Sequence, residues 1–436
     1  MKTAKFGGTS LADAARFRQV KRIVSADPEL RFVVVSAPGK RSAEDKKVTD
    51  LLYDCHAAVK TGTDPETAFA PVAVRFRQIA QELRLSIDLE AELRQIEKDL
   101  RSGASAAYCA SRGEYLSGRM LAALLGWPFL DPAELHFFDA DGVPQHKLAE
   151  QALMHRLHDM ERAVMPGFYG GGADGRIHTL PRGGSDISGA LLASASGSDA
   201  YENWTDVDGF LTADPRVVDS PEIIDFLSYR ELRELAYMGA EVLHPESIFP
   251  VRSVGIPINI KNTFNPTYHG TMIVAEKNLP KNKKIITGIA GKKGFTIINI
   301  EKDMMNSEIG FGRKVLSVLE FEGISFEHVP SGIDTLSVVI RDEYIAGKMQ
   351  KVLAALQESI NADNIEIHSG LSLIATVGHN MASRQGTAAT LFGALADANV
   401  NVRMIDQGSS ELNIIVGVDT FDYEKAINSI YHAFKQ

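Results

Sequence analysis

Short apolar runs alternate with longer stretches of helical periodicity from the start of the chain to about residue 275. The apolar runs predict strands at 3–6, 32–36, 164–169, 200–204 and 256–260. Apolar residues at three- and four-residue spacing predict helices at 11–25, 49–60, 66–83, 89–100 and 104–125. This alternation is typical of an α/β domain with a mainly parallel sheet.

A polar stretch separates this region from the rest of the chain. Residues 276–284 contain a proline and closely spaced lysines, which is typical of an exposed boundary between domains. We therefore predict a first domain at 1–275 and a linker at 276–284.

The chain beyond this linker contains an internal duplication. Residues 315–340 align with residues 391–416 without a gap, so that apolar positions and a turn glycine coincide. Each copy predicts a small α+β unit of βαββα order, which gives domains at 285–365 and 366–436. The alternating strand after the first helix of each copy is predicted at 324–329 and at 400–405.

Composition excludes several classes of protein. The 436 residues are 44% hydrophobic and 23% charged, which is the composition of a folded globular protein. The 46 Lys and Arg against 56 Asp and Glu give a net charge of −10, which argues against non-specific nucleic-acid or anionic-membrane binding. An anionic ligand must therefore be met by a local site.

The cysteine and histidine content predicts neither a disulfide framework nor a metal site. Cys55 and Cys109 fall on apolar helical faces and are expected to be inert core thiols. His155 and His158 lie three apart but have no third ligand at helical spacing, which favours a surface helix. With no signal peptide and no run of about 18 apolar residues, the expected location is the cytoplasm.

Two glycine loops lie at predicted strand-to-helix junctions. Residues 5–10 read Lys-Phe-Gly-Gly-Thr-Ser, a loop in which glycines let backbone N–H groups approach an anion beside a lysine. Residues 182–186 read Arg-Gly-Gly-Ser-Asp, in which the arginine can bind a carboxylate while the glycines face a second anion. The plainer alternatives are a tight turn for the first loop and a good N-cap beside a surface arginine for the second.

Two further segments carry candidate chemistry. Residues 204–216 form a polar loop after a strand, where open α/β sheets bind ligands, although Asp beside Gly or Pro is also a common turn former. Trp204 is expected to pack against the strand end rather than on a base. Residues 111–114 read Ser-Arg-Gly-Glu inside an apolar helix, so Glu114 is either a solvated surface residue or a buried carboxylate with a ligand partner.

These segments, taken in order, resemble those of the aspartokinases of the amino acid kinase family. The matching stretches are Lys-Phe-Gly-Gly-Thr-Ser at 5–10, Ser-Arg-Gly-Glu at 111–114, Gly-Phe-Tyr-Gly at 167–170, Arg-Gly-Gly-Ser-Asp at 182–186, Trp-Thr-Asp-Val-Asp-Gly at 204–209 with Asp-Pro-Arg at 214–216, and Val-Leu-His-Pro at 242–245. The C-terminal copies look like ACT domains, so the resemblance covers essentially the whole chain. It implies an amino-acid kinase fold with a mainly parallel sheet, followed by two ACT domains, one of which is commonly embedded in the other.

The implied activity is the ATP-dependent phosphorylation of the side-chain carboxylate of L-aspartate, the entry step to lysine, methionine and threonine. A carboxylate is already ionised at neutral pH, so this reaction needs alignment and charge neutralisation rather than a general base. The resemblance implies that Mg²⁺ arrives on the ATP phosphates, and no protein ligand for it is predicted.

The resemblance also implies a role for individual residues. The implied catalytic residues are Lys5 and Asp186. Lys5 would contact the transferred phosphoryl group, and Asp186 would orient the Lys5 side chain. Aspartate would be bound by Thr49, Glu114, Arg182 and Ser185, with Glu114 at the α-ammonium and Arg182 at a carboxylate. ATP would be bound by Lys5, Gly7, Gly8, Ser10, Thr205, Asp206 and Arg216.

The ACT domains imply feedback control and assembly. The stretch that binds an amino-acid effector in related ACT domains corresponds to Met304, Ser307, Ser325, Glu327, Ser331 and Asp334. Lysine is expected as the inhibitor in preference to threonine, and the chain is expected to form a homo-oligomer through this region. If one ACT unit is embedded in the other, the strand at 285–290 pairs with the second unit.

Two positions depart from the family pattern. Many aspartokinases have lysine where this chain has Glu241, so either another cation substitutes or ATP binds more weakly. Many also have glycine where Pro181 stands, which should stiffen that loop. The competing hypotheses are another amino-acid kinase, acting on glutamate, acetylglutamate or uridylate, and a catalytically weak amino-acid sensor.

Overall fold

The computed structural model describes residues 1–240, 242–281 and 284–435, which form two compact units. The first unit comprises Met1–Phe210, Ile223–Tyr229 and Glu241–Pro280. The second unit comprises Leu211–Glu222, Arg230–Ala240 and Lys281–Gln436.

Fifteen strands and fourteen helices are present in the described residues. The strands are β1 (Lys2–Phe6), β2 (Leu30–Val35), β3 (His136–Phe138), β4 (Ala163–Pro166), β5 (Tyr169–Gly172), β6 (Ile177–Thr179), β7 (Ala200–Thr205), β8 (Phe226–Ser228), β9 (Ile258–Asn262), β10 (Thr271–Val274), β11 (Gly288–Glu301), β12 (Thr335–Arg341), β13 (Asn364–Val377), β14 (Val402–Asp406) and β15 (Asn413–Asp419). The helices are α1 (Ala14–Ala26), α2 (Val48–Lys60), α3 (Pro65–Leu83), α4 (Leu89–Arg101), α5 (Ala106–Leu125), α6 (His146–Leu157), α7 (Gly184–Ala195), α8 (Tyr229–Tyr237), α9 (Phe249–Val254), α10 (Phe311–Phe321), α11 (Asp342–Ile345), α12 (Met349–Ile360), α13 (Thr387–Asp397) and α14 (Tyr423–Lys435).

The first unit contains a seven-stranded sheet in the order β4-β2-β1-β7-β9-β10-β8, in which only the β9–β10 pair is antiparallel among the described strands. Its central strands β1, β2 and β7 are buried along nearly their whole length, as expected for a parallel sheet covered on both faces, although only β2 is a nearly continuous apolar run. The predicted α/β domain with a mainly parallel sheet is confirmed. A small sheet, β3-β5-β6, lies beside it.

The predicted strand at 164–169 is wrong, because the chain forms two strands there. β4 ends at Pro166, and β5 begins only at Tyr169 and belongs to the small sheet. Phe168 between them has a φ of +74°, a left-handed conformation that no strand residue adopts. A Cβ on Gly167 would lie 3.0 Å from Cα of Ser185, so the chain passes directly against the start of α7.

The predicted helices are all present, with shifted ends. α1 begins at Ala14 rather than residue 11, because Gly8–Leu11 form a 3-10 turn and Asp13 caps the helix by accepting from the N–H of Arg16 at 2.9 Å. Cys55 on α2 and Cys109 on α5 are buried, and this burial raises the pKa of each thiol to about 11. The expected core position of both cysteines is therefore confirmed, and their inertness stays a prediction.

The second unit contains an antiparallel five-stranded sheet in the order β12-β11-β13-β15-β14. β11 and β13 are long enough to run through both duplicated copies. Ile289 of β11 pairs with Thr376, and Asn299 further along β11 pairs with Glu366. The start of β11 therefore pairs with the part of β13 that also pairs with β15, so both copies share one sheet.

The predicted strand at 324–329 is wrong, whereas its duplicate is present as β14. In the first copy only isolated pairings occur, at His328 with Val339 and at Ser331 with Leu336. Pro330 lies between them and has no N–H to donate, so a regular ladder cannot continue past it. No helix in the described part of the chain is long and apolar enough to cross a membrane. The cytoplasmic location stays a prediction.

Candidate active site

Parallel pairing places the carboxyl ends of β1, β2 and β7 on one edge of the seven-stranded sheet. Lys5 near the end of β1 pairs in register with Asn203 of β7, and Phe6 pairs with Trp204. Residues paired in register on neighbouring strands point to the same side of a sheet, so Lys5 and Asn203 lie on one face. This edge is where open α/β sheets bind ligands.

Lys5, Asp186 and Asn203 form a polar cluster at this edge. Nζ of Lys5 lies 2.7 Å from Oδ1 of Asp186, and Nδ2 of Asn203 donates to the same oxygen at 2.8 Å. The Lys5 and Asp186 side chains are only 11% and 16% exposed, so their charges are weakly screened by water. Asp186 also lies in the first turn of α7, where the helix dipole favours a negative charge. The structure thus brings the two predicted catalytic residues together.

The first glycine loop lies directly after Lys5. The N–H of Gly7 donates to the carbonyl of Trp204 at 3.0 Å, and a Cβ on Gly7 would lie 3.6 Å from Nζ of Lys5. The carbonyl of Gly8 accepts from the N–H of Gly39 at 2.8 Å, and a Cβ on Gly8 would lie 2.9 Å from the carbonyl oxygen of Ala37. Only glycine permits this approach of the two chain segments, and the loop stays half-buried and open beside the lysine.

Ser10 has a different surrounding from the one implied by the sequence. It is fully buried, its hydroxyl lies 2.7 Å from that of Thr263, and its N–H donates to the carbonyl of Gly7. Both polar groups are therefore engaged within the protein. The position of Ser10 favours a part in holding the glycine loop rather than a direct phosphate contact.

The second glycine loop leads into α7. Gly183 has a φ of +78°, and a Cβ there would lie 3.0 Å from Cβ of His244. Gly184 packs against Phe168, where a Cβ would lie 2.8 Å from the ring. Ser185 is half-buried, and Arg182 is exposed and has no ion pair within the described residues. The arginine is therefore available to a substrate carboxylate.

Glu114 is a buried carboxylate on α5. It is 4% exposed, and no protein group among the described residues pairs with its Oε2. The backbone N–H of Ala37 donates to this carboxylate, yet burial dominates and raises the pKa of Glu114 to about 8. An unpartnered buried carboxyl oxygen is costly, so the site is suited to a cationic group of a ligand.

The helix α2 packs beside Glu114. A Cβ on Gly113 would lie 2.7 Å from Cβ of Ala37 and 3.3 Å from Val48, so this glycine lets α2 approach α5. Thr49 follows Val48 and is half-buried. Thr49 is therefore the next residue on α2 after Val48, which packs against Gly113, the residue that precedes Glu114.

Arg112 is part of a cluster that the sequence did not predict. Its guanidinium lies over three aromatic rings, at 4.5 Å from Tyr108, 4.5 Å from Tyr115 and 5.5 Å from Tyr169. Each of these tyrosine hydroxyls donates to a carboxylate, of Asp99, Glu92 and Asp131 respectively. The cluster joins α5, the helix that carries Glu114, to α4 and β5, and its partners from those elements are too distant in sequence to be predicted.

The third loop begins with Thr205 and Asp206 at the end of β7. Thr205 is half-buried and its hydroxyl donates to Asp206 at 3.2 Å, whereas Asp206 is exposed. Trp204 is buried and stacks on Phe6, with ring centroids 5.8 Å apart, as predicted. Arg216 belongs to the second unit, where it forms an ion pair with Asp214 at 2.6 Å.

The predicted effector residues lie in two exposed segments of the second unit and one buried position. Met304 and Ser307 lie in or beside the turn before α10, and Ser325, Ser331 and Asp334 lie between α10 and β12. Glu327 is different, because its side chain is only 3% exposed and accepts from Nε of Arg341 at 2.6 Å. Its carboxylate is already engaged, which does not favour Glu327 as an effector ligand.

His244 and Asn203 were missed as site residues. Asn203 carries no motif, and its bond to Asp186 depends on strand register. His244 has a buried Nδ1 with no partner in the described part of the chain and lies against Gly183. Its place in the Val-Leu-His-Pro stretch was the available signal. Glu241 lies outside the described residues.

No group of three or more His, Cys, Asp or Glu side chains within the described ranges could hold a metal ion. His155 lies in the last turn of α6, and His158 follows that helix. The expected surface helix is therefore consistent with the position of both histidines.

Comparisons with known proteins agree with this geometry. The model of the amino acid kinase family matches residues 3–262, and an ACT domain model matches residues 374–434. The chain is 38% identical to aspartokinase 3 of Bacillus subtilis (strain 168) over 100% of this chain and 98% of that protein.

Solved structures of two proteins are similar over nearly the whole chain. The aspartate kinase of Clostridium acetobutylicum has a TM-score of 0.91 at 49% identity and covers 99% of both chains. The aspartokinase III of E. coli covers 100% of both chains at 26% identity, with a TM-score of 0.76 in complex with aspartate and ADP and of 0.73 in complex with lysine and aspartate.

Proposed function

The chain belongs to the amino acid kinase family and, within it, to the aspartokinases. On that premise we propose which residues bind each substrate and which act in the chemical step. The enzyme phosphorylates the side-chain carboxylate of L-aspartate with ATP to form 4-phospho-L-aspartate. This is the first step of lysine, threonine and methionine biosynthesis, and the ACT region places it under feedback regulation.

The observation that carries the residue assignment is the position of Lys5. Its ammonium lies between the Gly7-Gly8 loop and Asp186, the residue that follows the second glycine loop. A cation held between two anion-binding loops is suited to a reaction in which one anion attacks another. We therefore assign the transferred phosphoryl group to Lys5.

The chemical step needs no general base. An oxygen of the ionised aspartate side chain attacks the γ-phosphorus of ATP, the bond from that phosphorus to the bridging oxygen breaks, and ADP leaves with the electron pair. Lys5 stabilises the negative charge on the phosphoryl oxygens, and Asp186 with Asn203 holds the lysine in place. Since the attacking carboxylate carries no proton, no side chain has to remove one.

Aspartate would be bound by groups of opposite charge at its two ends. Glu114 faces the α-ammonium, because its buried Oε2 has no other partner in the described structure. Arg182 binds a carboxylate through two parallel N–H bonds. Thr49 and Ser185, both half-buried, add hydroxyl contacts.

MgATP would enter as the second substrate, with Mg²⁺ on its phosphates. The solved relative with bound ADP supports use of an adenine nucleotide. We assign the phosphates to Lys5 and to the backbone of Gly8, whereas Gly7, whose N–H already donates to Trp204, lets the chain pass close to the lysine. Ser10 holds this loop through its bonds to Gly7 and Thr263. Thr205 and Asp206 are assigned to the nucleotide, and a part for Arg216 in ATP binding stays a prediction.

Regulation is proposed to act through an amino acid bound in the second unit. The E. coli relative solved with lysine supports lysine over threonine. The proposed contacts are the exposed residues Met304, Ser307, Ser325, Ser331 and Asp334. Ser307→Ala and Ser325→Ala should raise the lysine concentration for half-inhibition, and an unchanged titration curve for both would place the effector elsewhere.

We propose that two or more copies of the chain associate through this unit. Met304, Ile309, Phe326 and Ile333 are 71%, 99%, 43% and 69% exposed. Exposed large apolar side chains in the same region are typical of an interface. The domain limits of 1–275, 285–365 and 366–436, with a linker at 276–284, stay proposals. Either ACT unit alone would lack part of the β11–β13 pairing, which supports one unit being embedded in the other.

One assay tests the activity directly. The purified chain is given MgATP and hydroxylamine with L-aspartate, L-glutamate or N-acetylglutamate, and the acyl hydroxamate is measured. Product with aspartate alone is expected, with none when ATP is omitted. Product with glutamate or acetylglutamate at a similar rate would contradict the assignment, and no product with any acceptor would favour an amino-acid sensor.

A further inference from the structure

Arg75 is a buried cation in the middle of α3. This residue is 3% exposed, and its guanidinium donates to three acceptors on two segments of the first unit, one at Ala12 and the other at residues 39–45. Nη1 donates to the carbonyl oxygens of Ala12 at 3.2 Å and Gly39 at 3.3 Å, and Nη2 donates to Oδ2 of Asp45 at 2.5 Å. A buried guanidinium is costly unless its donors are satisfied, so this arrangement specifies where the two segments lie.

Two of these acceptors adjoin the glycine loop. Ala12 directly follows the 3-10 turn Gly8–Leu11. Gly39 donates its N–H to the carbonyl of Gly8 at 2.8 Å, and a Cβ on Gly39 would lie 2.7 Å from the carbonyl carbon of Gly8. Gly39 is thus held on one side by Gly8 and on the other by Arg75.

The third acceptor anchors an exposed segment. Residues 40–47 are exposed except for Asp45, whose side chain is 15% exposed. Asp45 also accepts from N and Nε of Arg41, each at 2.9 Å, and its hydrogen bonds to Arg41 hold its pKa well below the usual range. The guanidinium of Arg75 therefore fixes the segment 39–45 at both of its ends, Gly39 and Asp45. This segment contacts the glycine loop through Gly39 and Gly8.

We propose that Arg75 is a positioning residue for ATP, which holds the Gly7-Gly8 loop in its phosphate-binding geometry through Gly39 and Asp45. The proposal rests on the proposed assignment of the ATP phosphates to this loop. Arg75 acts through backbone groups and does not contact the substrate. Among the described residues Arg75 forms its hydrogen bonds with Ala12, Gly39 and Asp45 and with none of the residues assigned to aspartate, so the main effect should be on the nucleotide.

Arg75→Lys is the first test variant. A lysine keeps the positive charge but cannot reach two carbonyls and a carboxylate with one planar fork. We expect the KM for ATP and the Kd for ADP to rise about tenfold, which corresponds to the loss of one charged hydrogen bond, while the KM for aspartate stays within about twofold.

Arg77→Lys is the matched control. Arg77 lies on the same helix but is exposed and pairs with Glu90 at 2.7 Å. Its replacement should therefore leave the KM for ATP, the Kd for ADP and the KM for aspartate unchanged. Asp45→Asn is a second variant, in an exposed segment. It should also raise the KM for ATP and the Kd for ADP, but by a smaller factor, because Arg75 still donates to the carbonyls of Ala12 and Gly39. Circular dichroism and thermal unfolding show whether each variant is folded at the assay temperature.

If folded Arg75→Lys has an unchanged KM for ATP and an unchanged Kd for ADP, the proposal is overturned. It is also overturned if the KM for aspartate rises by the same factor as the KM for ATP. If Arg75→Lys does not fold, Asp45→Asn decides, and wild-type ATP binding by that variant overturns the proposal. Gly8→Ala separates this inference from the proposed function. Unchanged ATP binding in Gly8→Ala would mean that the phosphate assignment itself is wrong, whereas weaker binding there but not in the Arg75 and Asp45 variants would remove only the role of Arg75.

Discussion

The ammonium of Lys5 lies 2.7 Å from Oδ1 of Asp186, although one residue lies near the end of the first strand and the other in the first turn of the seventh helix. Asn203 donates to the same carboxylate oxygen, so Asp186 is held from two sides. Because both side chains of the pair are mostly buried, the lysine is fixed before substrate arrives, which is the condition for electrostatic catalysis.

Lys5→Ala should lower kcat by a factor of about 100 while the fold is retained, because the variant removes a cation from a site whose catalysis is electrostatic. Steady-state kinetics with circular dichroism measures both. Lys2→Ala is the control, since Lys2 lies on the same strand but pairs with Asp27 away from the site. Near-normal turnover of Lys5→Ala would remove Lys5 from the mechanism.

Arg182→Lys should raise the KM for aspartate by about tenfold or more, since an ammonium cannot form the two parallel bonds of a guanidinium to a carboxylate. The KM for ATP should change little. Arg176→Lys, at an exposed position that pairs with Asp174, is a control expected to behave as wild type. A change confined to the ATP constant would show that Arg182 is not on the aspartate side.

The affinity for aspartate should depend on pH through Glu114. Burial raises the pKa of this carboxyl to about 8, so in the empty site it is protonated at neutral pH and must lose its proton to pair with the α-ammonium. The KM for aspartate should therefore fall as pH rises towards 8 and level off above it. Calorimetry in buffers of different ionisation enthalpy should detect proton release on binding.

Glu114→Gln should weaken aspartate binding and flatten this pH dependence, because the amide has neither charge nor titration. The KM for ATP should be nearly unchanged. A pH profile of Glu114→Gln that matches wild type would assign the titrating group elsewhere.

Glu327→Ala should destabilise the second unit by about 2 kcal/mol, because it removes a hydrogen bond between two charged groups and deprives the partly buried Arg341 of this partner. Denaturant unfolding measures this. Glu343→Ala is a matched control, since Glu343 is exposed and lies 3.7 Å from the same arginine. If Glu327→Ala instead keeps full stability and loses lysine inhibition, Glu327 is an effector ligand after all.

A chain truncated after Ala275 should be unstable rather than a free, uninhibited kinase. Ala213 and Val218, from a segment that truncation retains, pack in the same apolar cluster as Ile289 and Ile374, which truncation removes. Glu231 is fully buried and accepts from the N–H of His379, so its partner would also be lost. Soluble, monomeric and active truncated protein would contradict this expectation.

The sequence alone predicted four strands of the large sheet and the first five helices of the first unit, the duplication in the second and the two glycine loops. These depend on local periodicity and on residue types whose backbone preferences are intrinsic, as Gly7 and Gly8 show. The resemblance to aspartokinases added roles for Lys5 and Asp186, and the structure placed these two side chains in contact.

Tertiary structure alone decided which polar groups are buried and with what partner. The hydroxyl of Ser10 is engaged by Thr263, and the carboxylate of Glu327 by Arg341, both residues whose proximity no local pattern indicates. Glu114 has an unpartnered oxygen only because α5 packs against Ala37 and α2.

The division into units was also decided in three dimensions. Residues 211–222 and 230–240 belong to the second unit although they lie within the predicted first domain, because their apolar and hydrogen-bonding partners come from the end of the chain. Arg75 depends in the same way on carbonyls of Ala12 and Gly39. Burial and pairing of this kind are set by contacts between residues distant in sequence, which periodicity and composition do not encode.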